Sequence, residues 1–256
     1  MTSEGSWKSK ASWQQEDYYK LVKGDFRKMA EEEKNAKGAS SSAETAKKLS
    51  TAEVLGIDRA SLTVPRLAGL GILTAVTIVL QMLGSFIKFG PFSISLTLVP
   101  IVVGAALFGP LAGAWLGFVF SMVVLFTDAQ AFLAVSVPGT VLTVLLKGTL
   151  AGFLSGLVYV AFRKIRFGGE KVSVSLGVIL AAIVCPVVNT GIFLLGCVVF
   201  FLPTIREWGL QAGFENVGTY MIVGFVGLNF LMELLFNVLL SPAIEMIVRI
   251  GRRSLH

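Results

Sequence analysis

The chain has 256 residues, of which 54% are hydrophobic and 15% charged, with a formal net charge of +6 and a mean hydropathy of +0.77. Those proportions exclude an ordinary water-soluble domain. Only Cys185 and Cys197 are present, about 18 Å apart if they share one helix, which excludes an internal disulfide or a thiolate metal site.

Charge divides the chain into two regions. Twelve of the 22 Lys and Arg and ten of the 16 Asp and Glu lie in residues 1–66. Residues 1–64 hold Glu31-Glu32-Glu33-Lys34 and Ser40-Ser41-Ser42 and contain no run able to cross a bilayer. They read as a soluble, cytoplasmic polar tail, partly helical around Tyr18 to Lys34 and otherwise disordered. The tail lacks the apolar core and cleavage site of a signal peptide and is expected to be retained. Trp7, Trp13 and Tyr18-Tyr19 beside lysines offer contacts to lipid headgroups, the alternative to a tail without chemistry.

From Pro65 onward the apolar runs are Leu67–Ile87, Ile94–Phe108, Leu111–Phe126, Val141–Phe162, Val174–Leu202 and Gly218–Val248. The expectation is an all-α membrane protein, a six-transmembrane-helix bundle over residues 65–256. The second and third runs fall short of the roughly 20 residues that a bilayer requires, and Gly109-Pro110 between them reads as a tight turn. Near the run ends, Arg66, Arg163, Lys164, Arg166, Lys171, Arg249, Arg252 and Arg253 collect on one side, against Lys88 and Arg206 on the other. The asymmetry places both termini in the cytoplasm of a cell with the protein in its plasma membrane.

Small residues recur at four-residue spacing in Gly109, Gly113, Gly117 and in Gly148, Gly152, Gly156, with Ala68, Gly71 and Ala75 on the first run. Such ladders let helix backbones approach. They serve either packing inside the bundle or a smooth surface for a partner, and the first helix, terminal in the order of spans, is the candidate partner surface.

Polar side chains inside apolar runs cost on the order of 2.5–3.5 kcal/mol when charged. Lys147, Asn189, Asn229, Glu233 and Asn237 are such residues, the last three at i, i+4, i+8 on one helix face. Counting up from the cytoplasmic boundary, Lys147, Asn189 and Glu233 reach about 24–27 Å. Three helices thereby meet at one level, with Asn229 higher and Asn237 lower. The group is either a structural Lys147–Glu233 ion pair with asparagines capping leftover bonds or a pocket that opens outward and binds a polar solute.

No phosphate-binding G-x-x-x-x-G-K-[ST] loop, H-E-x-x-H helix or G-x-S-x-G elbow occurs, so no catalytic residue and no cofactor are expected. The basic pI of about 9.4 reflects lipid-boundary flanks, and no nucleic-acid partner is expected.

Ile94–Gly117 (ISLTLVPIVVGAALFGPLAGAWLG), Pro186–Ile192 (PVVNTGI) and Asn229–Ala243 (NFLMELLFNVLLSPA) resemble, in this order, the substrate-binding S component of energy-coupling factor (ECF) transporters. The resemblance covers roughly residues 66–250. It implies a six-helix protein that binds a vitamin or related micronutrient from outside and delivers it by toppling within a complex. That complex contains a transmembrane coupling subunit and two cytoplasmic ATPases. It also implies that small residues on the first helix, commonly Ala-x-x-x-Ala and here Gly71-Ile-Leu-Thr-Ala75, contact the coupling subunit. The Lys88–Ser93 loop and the outer halves of the fourth to sixth helices would form the binding site. Metal-carrying members use an amino-terminal histidine site, and the only histidine here is His256, so a metal substrate is disfavoured. Lys147 among amides would suit a carboxylate-bearing vitamin such as pantothenate or a folate. A stand-alone secondary transporter is the alternative class.

Overall fold

A computed structural model of the chain describes residues 63–86, 88–89, 92–93, 96–165 and 169–254. The expected tail, up to residue 62, lies outside the described residues. The first apolar run forms α1 (Val64–Gly84), opened by Pro65 in its first turn, where the missing N–H costs nothing. A small antiparallel hairpin follows, β1 (Lys88–Phe89) on β2 (Phe92–Ser93), with Lys88 opposite Ser93. Next come α2 (Leu98–Phe108), α3 (Pro110–Thr127), the single turn α4 (Gln130–Leu133), α5 (Val137–Ile165) and α6 (Glu170–Phe200). The chain continues through α7 (Leu202–Gln211), α8 (Val217–Thr219) with a π-helical stretch at Tyr220–Phe225, α9 (Gly227–Leu239) and α10 (Ser241–Ser254).

Among the described residues, four helices are long and apolar enough to cross a membrane, and a fifth span results if Val217–Phe225 and Gly227–Leu239 count as one broken crossing. Helix α2, with 11 residues, is only about 16 Å long against a hydrocarbon core of about 30 Å. The outer surface is apolar, with Leu67, Ile72, Val79, Leu195, Val199, Leu231 and Leu235 exposed. That distribution suits lipid as the solvent.

Gly109 sits at φ 99°, a left-handed backbone that glycine adopts without penalty, and it reverses the chain between α2 and α3. A Cβ on Gly104 would run into Leu116, and one on Gly113 would meet Ala105, so the two helices lie antiparallel around the turn. The same glycine-lined side of α3 also lies on α5. A Cβ on Gly113 or Gly117 would collide with the backbone carbonyl of Gly152 or Gly148, and the reverse holds for Gly148 and Gly152. Gly156 continues the ladder, with Pro110 Cα 2.6 Å from where its Cβ would stand. The two glycine ladders are therefore two halves of one interface inside the bundle. Small residues are the only ones that let backbones come this close.

Around this interface Leu98, Ile101, Val102, Leu116, Phe120, Ala151 and Tyr159 form the core with Val178, Ala181 and Cys185 of α6 and Ile244 and Val248 of α10. Cys185 and Cys197 are both buried as free thiols. At the start of α6, Arg249 pairs with Glu245 and donates to the Lys171 carbonyl at 3.2 Å, while the Ser175 hydroxyl donates to Glu245 at 2.7 Å. Helix α1 is peripheral: only Thr77 and Gln81 are buried on it, and Trp115 Nε1 of α3 donates to Thr74 at 3.2 Å.

The sixth run departs from the expectation of one continuous helix. It winds wide over Tyr220–Phe225, bends by 42° at Val226 and resumes as α9. Val226 N–H reaches back five residues to Met221 at 3.2 Å, the signature of a π-turn. Gly227 makes the bend possible, because a Cβ there would strike the Ile222 carbonyl. A second break at Leu240 precedes Pro242, so α10 is a separate helix, as the missing N–H and ring of proline demand. Depths counted from Arg249 along a single helix therefore do not apply to Glu233.

Replacing Gly117 or Gly148 by leucine is expected to lower the thermal unfolding temperature of the purified protein by several degrees. Overpacking of this kind costs about 1–3 kcal/mol. The same change at Gly71, whose Cβ would meet nothing within 4 Å, is expected to leave the unfolding temperature in place. Equal effects at the three positions would show that the ladders do not hold α3 to α5.

Candidate functional site

Beside the glycine interface the helices form a cavity of about 60 Å³, lined from α1, α3, α4, α5, α6 and α9 and by the α3–α4 connection. Lys147, Asn189, Asn229 and Glu233 all line it, so four of the five polar residues singled out in the sequence share one site. Asn237 does not line it. Its Nδ2 donates to the Glu233 backbone carbonyl at 2.9 Å on the same helix, and the side chain is fully buried.

The close crossing of α3 and α5 determines where Lys147 stands. Gly148, its neighbour, abuts Gly117, and the Lys147 ammonium lies 5.8 Å from the Phe120 ring centroid and 5.0 Å from that of Phe193. Cation–π attraction of this sort is worth about 0.5–2 kcal/mol. Lys147 and Glu233 form no ion pair, because among the described residues no carboxylate oxygen comes within 4.0 Å of the Lys147 nitrogen.

Glu233, 2% exposed, is held by amides. Asn189 Nδ2 of α6 donates to its Oε2 at 3.4 Å and Asn229 Nδ2, one turn before it on α9, to its Oε1 at 3.2 Å. A carboxylate accepts and does not donate when ionised, so both amides must turn their nitrogen toward it. Their oxygens are left over. Asn189 Oδ1 and Asn229 Oδ1 are buried and accept no hydrogen bond.

Three polar residues join the cavity that the sequence reading left out. Gln81 of α1 donates to Asp128 Oδ2 at 3.0 Å and accepts from Thr97 at 3.0 Å, and Thr127 donates to the same Asp128 oxygen at 2.9 Å. Thr190 stands beside Asn189 in the lining. Gln81 carries the same signal as the asparagines, an amide inside an apolar run. Asp128 lies just past the end of the third apolar run, and nothing in the pattern distinguishes it from an exposed loop acid.

One side of the cavity is aromatic. Phe132 of α4 packs edge-on against Phe193 at 5.5 Å, Phe201 at 5.1 Å and Trp208 at 5.6 Å, and Phe225 from the π-helical stretch joins them. Among the described residues no three His, Cys, Asp or Glu side chains cluster to hold a metal.

Ala68, Gly71 and Ala75 stand apart from the cavity. All three are exposed on α1, opposite the contacts that Gly69 makes with Phe108 and Leu73 with Gly104.

The sequence model of the family described as ECF transporter, substrate-specific component, matches residues 65–245, and the chain belongs to that family. No curated protein matches it. The match covers every element that lines the cavity.

Replacing Glu233 by leucine strands two buried amide nitrogens and is expected to destabilise the protein by about 1–3 kcal/mol for each, read as a fall in unfolding temperature. Replacing Lys147 by methionine breaks no ion pair and is expected to give no such fall. The double variant is then no more stable than Glu233→Leu alone. Recovery of stability in the double variant would re-establish a structural pair.

Proposed function

We propose that the chain is the membrane-embedded capture subunit of an ECF-type ABC importer and takes a small vitamin-like solute from outside into this cavity. The observation that carries the reading is the set of unpartnered acceptors. A buried amide oxygen without a hydrogen bond costs on the order of 1–3 kcal/mol, and the cavity holds two of them, on Asn189 and Asn229. A solute that donates to them offsets that cost, which distinguishes these two from Asn237 Oδ1, also buried without a partner but outside the cavity lining.

The crossing count we adopt is six, with α2 and α3 as a hairpin of two membrane-inserted legs and α8 to α9 as one bent crossing. Both termini then face the cytoplasm, in keeping with the eight Lys and Arg near one boundary against two near the other. No phosphate-binding loop occurs in the chain. ATP hydrolysis therefore falls to two cytoplasmic ATPase subunits, reached through a transmembrane coupling subunit. The exposed small-residue edge of α1, Ala68, Gly71 and Ala75, is the contact for that subunit, since Gly71 offers open space to an approaching helix. Stand-alone secondary transport has no comparable support.

Gly71→Trp and Ala75→Trp are expected to leave solute binding by the purified protein near normal and to reduce ATP-dependent uptake by the whole complex at least about tenfold, because close helix approach is lost. Loss of binding and stability together would place that edge inside the fold. Uptake by the isolated chain in proteoliposomes, at the rate of the complex and with no ATPase, would replace the capture role by secondary transport. For topology, a cysteine at Gly168 and a reporter after His256 are expected to report cytoplasm, and external labelling at Gly168 would reverse the orientation.

A further inference from the structure

The chemistry of the cavity narrows the solute, given the capture reading above. We propose that the solute is a flat, nitrogen-bearing aromatic compound, neutral or cationic, that presents several N–H donors and no free acid group.

The hydrogen-bonding inventory is one-sided. Glu233 orients the amides of Asn189 and Asn229, and their leftover oxygens are buried acceptors with no donor. Asn189 is 4% exposed, so bulk water does not serve it. Asp128, also in the lining, receives Gln81 and Thr127 on Oδ2. Two acceptor oxygens on two different helices, those of Asn189 and Asn229, thus await donors. A ligand whose own polar edge is made of acceptors would meet oxygen with oxygen there, leaving both sides unsatisfied.

Charge argues the same way. The sequence alone offers one cation and one carboxylate for this site, which invites an acid to pair with Lys147. With Asp128 in the lining, the formal count becomes one ammonium against two carboxylates. A carboxylate on the ligand would be a third negative group around one positive one. Within an apolar bundle of low dielectric, like charges at short range are costly. A cationic or neutral ligand avoids that cost.

Shape follows from Phe120, Phe132 and Phe193, which line the cavity from three elements. Lys147 already lies over two of these rings, so the ring faces are presented to the cavity side. A flat π-system matches such walls by stacking or edge contact, and N–H groups on a ring are drawn to aromatic faces as the ammonium is.

The test uses the purified full chain in detergent and the isosteric probes benzamidine and benzoate, with 4-aminopyrimidine as the neutral donor, read by thermal shift and calorimetry. Benzamidine and 4-aminopyrimidine are expected to bind and raise the unfolding temperature, and benzoate at equal concentration is not. Asp128→Asn, which retains an acceptor oxygen but removes charge, is expected to weaken benzamidine about tenfold. Lys147→Met, which removes the like charge, is expected to tighten it severalfold. Binding of benzoate that is lost in Lys147→Met would overturn the proposal, as would failure of both nitrogen probes to bind. These readouts need no partner subunit. Failure of ATP-driven uptake with benzamidine binding intact counts against the capture role alone, and energised uptake of a free acid counts against the ligand class alone.

Discussion

The close approach of α3 to α5 is the constraint on which the rest depends. Gly113 and Gly117 face Gly152 and Gly148 with no room for a Cβ on either side. Because the backbones touch, the residues flanking the glycines are placed with little freedom. Phe120 and Lys147, one on each helix, come within cation–π range as a result. In lipid no hydrophobic force draws helices together, and dispersion between well-fitted surfaces takes its place. A looser crossing would widen the space beside Lys147 and weaken its ring contact at once.

Glu233 plays a comparable part on the other wall. A single buried carboxylate fixes the orientation of two amides, one on its own helix and one on α6. The Asn189 bond joins α9 to α6 despite the bend at Val226, and the Asn229 bond stays within α9. The price is that two amide oxygens lose any protein partner. Rigidity and unmet acceptor capacity therefore have one cause.

Much of this was legible in the chain, for reasons that differ from residue to residue. Lys147, Asn189, Asn229 and Glu233 stood out because a polar group in an apolar run is costly, and all four line the cavity. Asn237 stood out for the same reason and turns out to bond its own helix. Gln81 carried the signal too, but lay on a helix read mainly for its small residues. Asp128 was illegible, since only the fold brings the end of α3 against Gln81 of α1. The glycine spacing announced close packing but not which helices would meet, because a ladder has no memory of its partner. The sixth run read as continuous, since its apolar length outweighed Gly224, Gly227 and Pro242, which the folded chain uses for a bend and a break.

Lys147 shows how a residue can be retained against the interest of stability. An ammonium within a span costs on the order of 2.5–3.5 kcal/mol, and its two ring contacts return only part of that. No carboxylate lies within ion-pair distance to offset the rest. Methionine would fill similar space among Phe120, Phe193 and Val144 at lower cost. Asn237 makes the contrast: its amide nitrogen bonds the Glu233 carbonyl at 2.9 Å outside the cavity lining, and only its Oδ1 is left without a partner. A lone cation held half-buried beside two carboxylates that it does not touch has no such local account. What it does provide is a positive point in a negative cavity, set at a fixed height by the glycine next to it. That arrangement limits which charges a solute can bring in, and it does so through a residue that the fold would be more stable without.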